Sequence, residues 1–125
     1  MFDHLSIGVR DLDAAGRFYD AVFQPLGHAK AWDQPHELAY GPKGESRLFW
    51  LYPVAGEQVA GLGTHIAFAA DSKEAIDAVF AAAMANGASA LRAAGPHPDI
   101  APDYYGLVVL DPDGNKIEVV FDTMH

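Results

Sequence analysis

Residues 2–27 read FDHLSIGVRDLDAAGRFYDAVFQPLG, and residues 64–88 read THIAFAADSKEAIDAVFAAAMANGA. In the first stretch Leu5, Ile7 and Val9 alternate with His4, Ser6 and Gly8, the period of a strand with one face on a core. Asp11 then starts a helix: Leu12, Ala15, Phe18, Tyr19 and Val22 fall on one stripe, and Pro25 with Gly27 ends it. The second stretch repeats this plan. Ile66 and Phe68 oppose His65, Ala67 and Ala69, and Asp71 and Glu74 have the spacing of a capping box. Ile76, Val79, Phe80 and Ala83 form the next stripe, which Asn86-Gly87 stops.

Three strands are expected after each helix, near 28–33, 36–41 and 46–53 in the first half and near 88–93, 104–110 and 115–122 in the second. His4 and His65 stand 61 positions apart, and Gly27 and Gly87 stand 60 apart. The turns before the last strands also match, Gly-Pro-Lys-Gly at 41–44 against Asp-Pro-Asp-Gly at 111–114, a chemistry suited to tight turns. One βαβββ unit is thus written twice, about 1–62 and about 63–125. Neither copy can bury its sheet face alone, so the two are expected to pack as one α+β domain over 1–125.

The chain of 125 residues is half apolar and a fifth charged, which supports a packed core without staples. It has no cysteine, so disulfides, thiol nucleophiles and thiolate metal sites are excluded. A net charge of −9 repels phosphate backbones and argues against nucleic acid as a partner. The start, Met-Phe-Asp-His-Leu, carries no signal-peptide pattern, and the apolar run Ala78–Ala85 is too short to span a bilayer. No membrane partner is expected, and the expected location is cytoplasmic.

These stretches, together with YYGLVVLDPDGNKIEVV at 104–120, resemble the vicinal-oxygen-chelate superfamily, which includes glyoxalases, bleomycin-resistance proteins and extradiol dioxygenases. The resemblance covers nearly the whole chain, and L-D-P-D-G-N-x-I-E is its most specific part. It implies eight strands in a half-open barrel around a cleft, with a divalent metal held by the first and last strands of each module. Carried onto this chain, His4, His65 and Glu118 are the implied metal ligands. Aligning RLFWLYP with KIEVVFD sets Phe49 opposite Glu118, so the fourth family ligand is missing. An aromatic ring there leaves a coordination position open beside an apolar wall, and little activity is expected on the hemithioacetal of methylglyoxal and glutathione.

Two imidazoles and a carboxylate suit Fe, Mn, Zn or Ni without choosing among them. Ser6 shares the face of His4 and is a candidate substrate contact. Phe49 and Trp50 are neighbours on a strand, one expected at the cleft and one in the core. Only one of Tyr104 and Tyr105 can face the cleft; Tyr105 is the first candidate for an acid–base group. His97 lies in the Pro-rich segment GPHPDIAP, read as a loop that could cover the cleft, while His28, His36 and His125 read as surface. The resemblance implies a metal-dependent lyase, isomerase or dioxygenase on a small substrate with vicinal oxygens, or a non-catalytic protein that sequesters a small molecule. The chain ends seven residues after Glu118 and has Val108 where fosfomycin-resistance thiol transferases are expected to carry tyrosine. Small two-module relatives commonly pair, so a homodimer is expected.

Overall fold

In a computed structural model, which describes residues 1–121, each half folds as the repeat requires. The first gives β1 (Leu5–Val9), α1 (Leu12–Phe23), a 3-10 turn (Gln24–Leu26), β2 (His28–Gln34), β3 (Glu37–Pro42) and β4 (Phe49–Pro53). The second gives β5 (His65–Ala70), α2 (Lys73–Ala85), β6 (Ser89–Pro96), β7 (Tyr105–Leu110) and β8 (Lys116–Phe121). The strands form two four-stranded sheets, ordered β1-β4-β3-β2 and β5-β8-β7-β6. In each, the first strand runs parallel to the last, and the remaining pairs are antiparallel.

Local chemistry explains most boundaries. The Asp11 carboxylate accepts from the backbone N–H groups of Asp13 and Ala14, capping α1. Gly27 closes the following turn at φ 78°, a left-handed conformation that glycine adopts without penalty. The cap of α2 differs from the expected Asp71–Glu74 box: Ser72 occupies the N-cap, and its hydroxyl accepts from the Ala75 N–H at 3.1 Å. The strand expected at 88–93 also runs further, to Pro96, because Gly95 and Pro96 pair with Gly106 and Tyr105.

The two helices pack against one another, and one core runs under both sheets. At its centre Phe23 meets Tyr19, Tyr40, Phe49 and Phe68 at centroid separations of 5.0–5.5 Å. The modules are also joined by polar groups. The Tyr19 phenol of α1 donates to buried Asp111 at 2.7 Å, and the Asn115 side-chain amide donates to the Gly8 carbonyl at 3.0 Å. Burial pushes the Asp111 carboxyl above the usual range despite the hydrogen bonds it accepts.

Candidate functional site

The register of the two sheets decides which side chains correspond. In the second module Ala67 pairs with Glu118, Glu118 with Val108, and Val108 with Arg92, a row across the sheet. In the first module the same row is Ser6, Trp50, Ala39 and Trp32. Trp50 therefore holds the place that Glu118 holds in the second module. Phe49 corresponds to buried Ile117 and is itself 5% exposed, packed on Tyr19, Phe23 and Phe68. The expected register is thus shifted by one residue: Phe49 is core and Trp50 lies on the open face. The absence of a fourth carboxylate is unchanged.

On the open face of the second sheet, His65 Nε2 lies 3.4 Å from Glu118 Oε1, with side-chain exposures of 46% and 17%. The other carboxylate oxygen accepts the Tyr104 phenol at 2.7 Å. Burial, reinforced by Glu118, holds that phenol protonated well above its ordinary range, so it acts as a donor that orients the carboxylate. Gly106 makes this contact possible, because a Cβ there would stand 2.7 Å from the Tyr104 hydroxyl. The sequence signal for the pair is the tyrosine two residues before glycine, both on one face of the hairpin.

Tyr105 points to the opposite side. Its hydroxyl donates to Asp77 of α2 at 2.7 Å, so the expected acid–base role has no geometric support, and alternation gives the cleft-side position to Tyr104. His97 is half-buried, with Nε2 2.8 Å from the Ala93 carbonyl and its ring edge-on to Tyr104. Arg92 grips Asp99 through two hydrogen bonds of 2.8 and 3.1 Å, tying the segment that follows β6 back to the sheet. His36 is exposed as expected, and His125 lies outside the described residues. His28 differs: it is half-buried edge-on to Phe23, its Nδ1 has no partner among the described residues, and burial lowers its pKa.

His4 is on the other module's face. Its Nδ1 lies 2.6 Å from Asp3 Oδ1, and its ring meets Trp50 edge-on at 6.5 Å. Trp50 stacks beside Tyr52, donates to the Arg47 carbonyl, and leaves Ser6 exposed on its other flank. Arg47 itself lies 4.0 Å over the Trp32 ring. Among the described residues no three His, Asp or Glu side chains gather to hold an ion, so His65 and Glu118 meet without His4. That pair nonetheless fits a metal: two donors each about 2.1 Å from one ion can stand this far apart. Both are accessible, and the second carboxylate oxygen is already occupied.

Two βαβββ modules, each with an open sheet face and a histidine at or just before the start of its first strand, define a two-module glyoxalase-type fold. The profile of the glyoxalase/bleomycin resistance protein/dioxygenase superfamily matches residues 1–119, and the chain belongs to that superfamily. A glyoxalase/bleomycin resistance protein from Albidiferax ferrireducens T118 is 31% identical, with 98% of this chain and 99% of that one covered and a TM-score of 0.81. The fosfomycin resistance protein FosX from Mesorhizobium loti shares the fold at 18% identity, covering 99% and 93% with a TM-score of 0.73. A glyoxalase-related enzyme from Fulvimarina pelagi aligns at 21% identity over 98% and 88%, with a TM-score of 0.71. No curated protein matches the chain significantly. Among the described residues no helix is long and apolar enough to cross a membrane.

Proposed function

We propose that the chain is a metal-dependent enzyme of the glyoxalase type, acting on a small substrate that binds the metal through vicinal oxygens. The observation that carries this reading is the 3.4 Å approach of His65 Nε2 to Glu118 Oε1 on an open sheet face, with Tyr104 holding the other carboxylate oxygen. The third ligand would be His4 of the partner subunit in a homodimer, since His4 of the same chain lies against Trp50 instead. When bound, a divalent ion of the Fe, Mn, Zn or Ni type supplies Lewis-acid stabilisation of negative charge on substrate oxygens, the shared need of lyase, isomerase and dioxygenase chemistry here. Tyr104 fixes the carboxylate, and Asp3, accepting from the Nδ1 side of His4, leaves its Nε2 free to ligate. Trp50 provides an apolar wall where a fourth carboxylate would stand.

Elemental analysis after reconstitution with Fe(II), Mn(II), Zn(II) or Ni(II) tests this. About one ion per chain is expected, falling to near none in His65→Ala and Glu118→Ala. A wild-type chain that takes up none of the four would replace the enzyme by a metal-free protein that sequesters a small molecule.

A further inference from the structure

We propose that the substrate of this site is a small carboxylate-bearing anion, and that Lys116 is the residue that recognises its charge. This inference rests on reading His65 and Glu118 as metal ligands, and adds the substrate class. Lys116 pairs with His65 in the β5–β8 register and stands two residues before Glu118, so all three side chains emerge on one face. They line a pocket of about 260 Å³ with Leu91, Arg92 and Val108. That volume lies below the roughly 300–1,000 Å³ of pockets for drug-sized ligands and suits a small molecule.

The charges of this wall are unequal in availability. Arg92 is held by both oxygens of Asp99, and Glu118 faces His65 and Tyr104. Among the described residues Lys116 forms no ion pair. Arg92, Lys116, Asp99 and Glu118 cancel in sum and the partner's Asp3 adds one negative charge, so a bound divalent ion still leaves the site positive on a chain of net charge −9. A cationic ligand would be opposed there, whereas a carboxylate would be drawn to the metal and to the Lys116 ammonium group. The first module shows that this cation is not a generic feature of the fold, because Leu48 occupies the corresponding place. Leu91 and Ile100, exposed at the pocket, provide room for a short apolar substituent. Together these features describe an α-hydroxy or α-keto acid with a small side chain.

Calorimetry on the full-length chain loaded with Mn(II) tests the assignment, with oxalate as the anionic vicinal-oxygen probe and hydroxyacetone as the neutral one. Oxalate is expected to bind more tightly than hydroxyacetone. Lys116→Gln should weaken oxalate roughly tenfold, the loss of one charge-assisted hydrogen bond, with Mn(II) stoichiometry and hydroxyacetone binding unchanged. Lys116→Arg should restore most of the affinity. Normal Mn(II) uptake with equal oxalate affinity in Lys116→Gln and wild type would overturn this inference alone. A wild-type chain that binds no Mn(II) would overturn it together with the metal-site reading.

Discussion

At position 49 a phenyl ring packs among Tyr19, Phe23 and Phe68, while the next side chain, Trp50, stands on the open face beside His4. A carboxylate at 49 would be buried without a partner, so Phe49→Glu should destabilise the fold by about 3–5 kcal/mol in urea denaturation. Trp50→Glu should instead leave the midpoint nearly unchanged, because the side chain is only half-buried, and should tighten divalent-metal binding about tenfold by adding a ligand. Unaltered metal affinity in Trp50→Glu would remove position 50 from the ligand shell. The sequence could not choose between these neighbours through alternation alone, since FWLYP is apolar on both faces. The similar Pro-Gly turns then favoured an alignment one residue out of register. Tyr104 and Tyr105 posed the same problem: one parity choice separates a phenol on Glu118 from one on Asp77.

Helix α2 shows how a local signal can be right about an element and wrong about its first residue. Asp71, Ser72 and Glu74 offer two overlapping caps, and both place a helix start within one residue. The backbone settles on Ser72, whose extended φ of −153° leaves its hydroxyl free to accept from Ala75. Ser72→Ala should therefore cost about 1 kcal/mol in chemical denaturation, and Asp71→Ala only a few tenths. The reverse order would restore the Asp71 cap. Strand β6 outran its expected end for a related reason: Gly95-Pro96 reads as a breaker, yet β6 is an edge strand where proline is tolerated.

Across the whole molecule, the two open faces carry complementary halves of the proposed site, His4 on one and His65 with Glu118 on the other. A two-fold pair would join the His4 face of each chain to the Glu118 face of its partner, building two equal sites. Neither His4→Ala nor His65→Ala homodimers should then hold metal. Co-refolding the two variants in equal amounts should restore about a quarter of the wild-type capacity, because half the dimers are mixed and each has one intact site. Metal titration of that mixture is the check. No recovery would mean that each chain builds its site alone, or that sites do not form between chains. Sedimentation of the wild type should give about twice 13.4 kDa.

The pattern of residues alone specifies the duplicated βαβββ plan, both helices and nearly all strands, and it sets His4 and His65 at equivalent places in the two copies. These are legible because hydrophobic period, caps and turn residues act over a few neighbours, and because the repeat states each signal twice. Long-range packing was needed to set Trp50 rather than Phe49 at the place matching Glu118, to bring Tyr104 to the carboxylate, and to hold His4 apart from the other two. Those outcomes depend on strand register and on how one sheet lies against the other. Register is set by long-range pairing, in which a shift of one residue moves a side chain from core to cleft without changing any local preference.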